Sequence, residues 1–99
     1  MRPIHTAQLD KPRPVLVLTR ELVRPYMTRV TVAPITTTAR GLSTELPVGP
    51  ANGLDAQCVV SCDNIVTVPA RALGRQLGVL LPAQEDALTA AIHAAFDLG

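Results

Sequence analysis

The chain has 99 residues, is 47% hydrophobic, carries a net charge of +1 and contains one Tyr, one Phe and no Trp. That length makes a single domain, residues 1–99, able to bury roughly 60–70% of its unfolded surface. The apolar content excludes a disordered or solvating chain. The shortage of aromatics excludes binding built on rows of stacked bases, and so mild a charge does not by itself announce nucleic acid.

The charge is unevenly spread. From Met1 to Glu45, six Arg and Lys11 face Asp10, Glu21 and Glu45, a balance of +4; from Leu46 to Gly99, Arg71 and Arg75 face five acids, a balance of −3. The first half is where an anion would bind. Bidentate pairing with phosphate and a GC-rich coding bias both produce such a preference for Arg over Lys. The longest apolar runs, "VLVL" and "GVLL", are far too short to span a membrane. Arg2, His5, Gln8 and Asp10 interrupt the apolar core that a signal peptide would need, so a cytoplasmic protein without a membrane partner is expected.

In chain order, Ile4–Leu9 reads as a first strand and Asp10–Pro14 as a tight turn set by its two prolines. Val15–Thr19 is a continuous apolar run, hence a strand covered on both faces. Arg20–Met27, interrupted by Pro25, reads as a loop with one helical turn. Thr28–Ala33 is a third strand, which passes at Pro34 into "ITTTAR" and so delivers a row of hydroxyls and a cation to a sheet rim. Ala39–Ser43 turns into a short strand, Thr44–Val48. "GPANGLDA" (Gly49–Ala56) is the clearest loop, and Gln57–Val68 is a strand region interrupted near Asp63-Asn64. The spacing of strands and turns suggests a small barrel or sandwich.

After Pro69, "ARALGRQLG" reads as a helical turn or two ending at Gly78, and "VLL" as a short buried strand. Pro82 opens the best helix, with Glu85 and Asp86 in its first turn favouring the macrodipole. Ala87, Leu88, Ala91, Ile92, Ala95 and Phe96 form its apolar stripe. Burial of Leu88, Ile92 and Phe96 would contribute roughly 1.5–3 kcal/mol each.

Phosphate-loop and dinucleotide fingerprints are absent, and no metal-ligand spacing or cofactor motif is readable. His5 and His93 read as structural. Cys58 and Cys62 fall in "QCVVSCDNIVTV"; in a strand they stand about 13 Å apart, too far for a disulfide, and are expected as buried, reduced thiols. What remains is Arg13 beside a turn, the Thr36–Thr38 row, Arg40, and Asp63 with Asn64.

These segments carry a resemblance. "RPVLVLT", "VTVAPITTTARG", "VVSCDNIVTV" and "LGRQLGVL" before a C-terminal helix resemble, in order and over nearly the whole chain, the MazF/PemK family of toxin endoribonucleases. The resemblance implies a mainly β (α+β) fold, a small Src-homology-3-like barrel of about five to seven strands with a C-terminal helix, assembled as a homodimer. It also implies cleavage of single-stranded RNA without metal or other cofactor. The substrate's own 2′-hydroxyl is the nucleophile, leaving a 2′,3′-cyclic phosphate and a 5′-hydroxyl. The protein then need only position the phosphate, move protons and stabilise negative charge.

The family's active-site Arg falls on Arg13, expected to bind and polarise the scissile phosphate; guanidinium groups titrate above about 12 and make poor bases. Its Thr falls on Thr36, expected to hydrogen-bond a phosphate oxygen. Where some members carry Arg-Cys-Asp, this chain has Ser61-Cys62-Asp63, so Asp63 carries over as acid/base or RNA contact and the Arg does not. Thr37, Thr38, Arg40 and Asn64 would line the RNA path. Only Lys11 and Pro12 stand where members place a longer covering loop, implying a more open site. A cognate antitoxin with an acidic tail is the implied partner. The alternatives are a non-enzymatic toxin resembling the CcdB gyrase poisons, disfavoured by the ending "AAFDLG", or an inactive antitoxin-binding homologue.

Overall fold

A computed structural model describes residues 1–98. Seven strands form one sheet: β1 (Pro3–Gln8), β2 (Pro12–Val17), β3 (Arg29–Thr36), β4 (Glu45–Val48), β5 (Cys58–Ser61), β6 (Val66–Pro69) and β7 (Leu73–Val79). A helix, α1 (Glu85–Ala95), closes the chain. The strand order is β4-β5-β3-β2-β1-β7, with β6 also on β3, and every pairing is antiparallel. The small, mainly β architecture with a C-terminal helix expected from sequence is what forms.

β3 is the strand on which the sheet bends. One edge pairs with β2; the other holds β6 along Arg29–Val32 and β5 at Ile35–Thr36. Pro34 lies in the changeover, where neither β5 nor β6 needs its missing N–H, which is how a proline survives inside a central strand. For that reason β3 runs on to Thr36, beyond the end expected at Ala33. β2 likewise starts earlier than expected: Pro12 and Pro14 pair opposite Gln8 and Thr6. Arg13 therefore sits in a strand, with only Leu9–Lys11 turning the hairpin.

Successive residues of β2 feed two cores. Leu16 packs with Ile4, Ala33, Ile35, Leu46, Val60 and Leu88, whereas Val15 and Val17 pack with Ala7, Val30, Val32 and Val68. Period-2 alternation thus covers this strand on both faces, as its unbroken apolar run requires.

Three expectations are corrected. "ARALGRQLG" is not a helical segment ending at Gly78: a single 3-10 turn, Ala70–Ala72, leads into β7, which pairs along β1 and takes in Val79 of the expected "VLL" strand. A free edge of β1 outweighs the weak local preference. Cys62 is not in a strand but in the 3-10 turn Cys62–Asn64 between β5 and β6; both thiols are free, Cys62 buried and Cys58 only half-buried. Along α1, Leu88 and Ala91 are buried and Ile92 and Ala95 half-buried, but Ala87 is exposed and Phe96 is 55% exposed. Phe96 is the C-cap residue, after the helix's last turn.

Candidate active site

The β1–β2 hairpin, the end of β3, the segment leading into β4 and the turn after β5 converge on one cleft of about 570 Å³. Arg13, Thr36, Thr38, Arg40, Asp63 and Asn64 all line it. Thr37 does not: it lies on a second cavity of about 470 Å³. Thr37 is the first residue past β3 and sits in a bend, so it does not continue the row of Thr36 and Thr38.

Arg13 reaches the cleft with its side chain 26% exposed, and its one ion pair is a long 3.5 Å contact from Nη2 to the exposed Asp10. Its Nε is buried without a hydrogen-bond partner. The Nη donors of the fork, held among the described residues only by that long ion pair, are the ones that can bind an oxyanion. At the end of β3, the Thr36 hydroxyl oxygen accepts the Thr38 N–H at 3.2 Å. That bond occupies an acceptor lone pair and leaves the Thr36 O–H hydrogen free to donate.

Asp63 projects from the Cys62–Asn64 turn and accepts the Thr44 hydroxyl at 2.6 Å through Oδ2. Asn64 donates to the Ser61 hydroxyl at 2.8 Å. The adjacent Cys62 thiol is pushed up in pKa, first by burial and second by the Asp63 carboxylate. It stays protonated and is no nucleophile.

Two participants were missed in the sequence. Glu45, counted there only as a charge, accepts the Arg40 N–H at 3.1 and 3.2 Å and the Leu42 N–H at 3.0 Å. The chain bends at Gly41, whose φ of +73° is in the left-handed region, so both amides aim at one carboxylate. Glu45 thereby fixes the segment that carries Arg40. Thr44, the residue before it, holds Asp63. The acid four residues past a Gly was the available signal, but only the turn geometry gives it meaning.

The basic balance of the first half is only partly spent on the cleft. Arg2 pairs with Glu85 at 3.1 Å and donates to the Leu18 carbonyl, and Arg29 donates to the Thr67 carbonyl. Of the cations in that half, Arg13 and Arg40 line the cleft, together with the acids Asp10, Glu45 and Asp63. Asp10 tempers Arg13, and the backbone amides absorb the charge of Glu45.

Residues 2–96 match the model of the PemK-like, MazF-like toxins of type II toxin–antitoxin systems. The chain belongs to this family. It is 67% identical over 98 residues to the endoribonuclease MazF3 of Mycobacterium tuberculosis, covering 99% of this chain and 95% of that protein. A probable endoribonuclease, MazF2 of the same organism, is 44% identical over 73 residues, covering 73% and 72% of the two chains. Among solved structures, the M. tuberculosis toxin MazF-mt6 superposes with a TM-score of 0.97 at 66% identity, covering 99% of both chains. A mycobacterial endoribonuclease in complex with its cognate antitoxin superposes with a TM-score of 0.86 at 26% identity, covering 98% and 93%. The turn ahead of β2 is the three residues Leu9–Lys11, of which Leu9 and Asp10 line the cleft.

Proposed function

We propose that the cleft is the catalytic centre of an endoribonuclease toxin that cuts single-stranded RNA through the substrate's own 2′-hydroxyl. The observation that carries this reading is the presence in one cleft of a guanidinium whose Nη donors are held only by a long ion pair and a threonine hydroxyl with a free hydrogen. Both are donors, and they face a place where a phosphate oxygen gaining charge would sit.

The scissile phosphate docks on Arg13 and Thr36. The 2′-oxygen attacks phosphorus, forming a new P–O bond, while its proton passes to the free oxygen of Asp63; Thr44 holds the other oxygen and so fixes the carboxylate's orientation. The bond to the 5′-oxygen breaks in line; that oxygen takes a proton from solvent water, and the hydroxide left behind takes back the proton held by Asp63, which restores the carboxylate. The products are a 2′,3′-cyclic phosphate and a 5′-hydroxyl. No metal enters this scheme, since the internal nucleophile needs none to activate it. Thr38, Arg40 and Asn64 line the strand's path through the cleft.

The gyrase-binding alternative loses its ground, because the relatives at 67% and 44% identity are endoribonucleases by name. We read the toxin as a cytoplasmic homodimer neutralised by an antitoxin peptide whose acidic tail covers the basic N-terminal half. Phe96 and Leu98, each 55% exposed, are apolar surface available to such assembly.

The test is cleavage of RNA in EDTA with mapping of the ends. Activity that survives the chelator and leaves 5′-hydroxyl ends supports the scheme. Abolition by EDTA, or full activity in Arg13→Ala and Thr36→Ala, would overturn it.

A further inference from the structure

We propose that the second cavity, across the threonine ridge from the cleft, is the subsite for a nucleotide flanking the cut in the same RNA strand. This rests on the RNA-cleaving reading of the cleft. The two cavities share a wall made of β2 and the end of β3. Arg13, Thr36 and Thr38 face the cleft, while Pro14 and Thr37 face the second cavity. Thr36 is the last residue of β3 and Thr37 follows it in a bend, so the two cavities flank the rim where β3 ends, and a strand whose phosphate rests on Thr36 reaches Thr37 by passing around that rim.

The far wall is preformed. The loop after β4 lies against β7 so closely that a Cβ on Gly53 would run into the Leu77 carbonyl, and one on Gly78 into the Asn52 carbonyl. Gly53 also has a φ of +86°, a conformation that L side chains rarely adopt. Backbone thus meets backbone with no slack, and Asp55, on the loop, and Arg75 and Gln76, on β7, are held opposite Thr37.

The mixture of groups selects the ligand. Arg75 supplies a guanidinium for a phosphate, and it makes no ion pair among the described residues. Asp55 would repel a bare anion, but it accepts hydrogen bonds from the exocyclic amino groups of bases. The Gln76 amide is spent only on the Gly78 carbonyl at 3.2 Å and offers both a donor and an acceptor. Pro14 and Leu77 provide apolar surface for the face of a base in a chain with almost no aromatics. A base edge joined to its own phosphate uses every one of these groups; a free phosphate or an acidic peptide would not.

The experiment is to sequence the cut sites in a randomised RNA pool for the wild-type protein and for Asp55→Asn, Gln76→Ala and Arg75→Ala. The expected result is that base preference at one flanking position falls about tenfold while preferences at the other positions persist. Arg75→Ala should also weaken binding of an RNA blocked by a 2′-deoxy scissile nucleotide, lowering its salt slope by about 0.7. An unchanged profile, uniform slowing at all sequences, or an altered oligomeric state with an unchanged profile overturns the proposal. A wild-type protein that cuts no RNA overturns the reading of the cleft, and this subsite with it.

Discussion

Two polar clusters in this small toxin are built on opposite plans. Around Asn52, which is buried, every side-chain hydrogen-bonding group is used. Its carbonyl oxygen accepts the Gly49 N–H at 3.0 Å, and its amide donates to the Val79 carbonyl at 3.0 Å and to Gln84 at 2.7 Å. Gln84 in turn accepts the Leu81 N–H at 2.9 Å. The network ties the loop after β4 to the end of β7 and to the start of the helix. Around Arg13 the bonds are left open: a buried Nε without a partner and one long ion pair. Closed networks specify structure, whereas groups left unsatisfied in a cleft await a ligand.

That contrast can be broken most forcefully at Arg13. Arg13→Ala should reduce RNA cleavage by about 10²–10³-fold while leaving the melting temperature nearly unchanged. Its only ion-pair partner among the described residues is an exposed carboxylate, and such pairs contribute little. A melting temperature that fell in step with activity would show Arg13 to be structural and the contrast false. Asn52→Ala should behave in the opposite way. Stripping the partners from the Gly49 N–H and the Val79 carbonyl costs about 1–3 kcal/mol, seen as a lower denaturant midpoint, with cleavage per folded molecule retained.

Within the cleft the effects are smaller and can be sorted. Thr36→Val removes a donor to a charged oxygen and should cost about tenfold in kcat, with Thr36→Ser recovering most of it. Glu45→Ala should raise KM about fivefold, because a charge-assisted bond is lost and Arg40 is no longer presented, with kcat little altered. Glu45→Gln retains one acceptor oxygen, to which both the Arg40 and Leu42 amides already point, and should restore KM. If Glu45→Ala and Glu45→Gln behave alike, Glu45 does not act through that turn.

Much of this was legible in the residues, and the failures share a cause. Alternation and turn residues located β1 to β6 to within a few positions, and the helix was announced by Pro82, its acidic first turn and its stripe. β7 was not, because Leu73 and Leu77 repeat at a helical interval and the edge of β1 that recruits them is some seventy residues upstream. Pro34 concealed the length of β3 for the same reason: only the changeover between β6 and β5 makes it harmless. At the cleft, the family resemblance picked out Arg13, Thr36 and Asp63, and the fold brings them to one place. Thr37 was grouped with its neighbours, but it falls in the bend just past β3 and lines the other cavity. Glu45 and Thr44 were invisible because they act on a backbone turn and on Asp63, through geometry that no spacing encodes.

The smallest effect concerns the two cysteines, which repeat the contrast between closed and open surroundings. Cys62 is in the core and its pKa is raised, by burial first and by Asp63 second; Cys58 is half-buried on the second cavity. A thiol raised in the folded state stabilises fully below the ordinary thiol pKa, about 8.5. That contribution fades as pH climbs from there through the raised value, because the unfolded chain ionises first. The wild-type protein should therefore lose slightly more denaturant stability between pH 7 and pH 9.5 than Cys62→Ala does. Over the same range a maleimide should label Cys58 ahead of Cys62, the latter only at the rate of unfolding. Equal labelling of both thiols in the native state would place Cys62 in an accessible site and remove the closed half of the comparison.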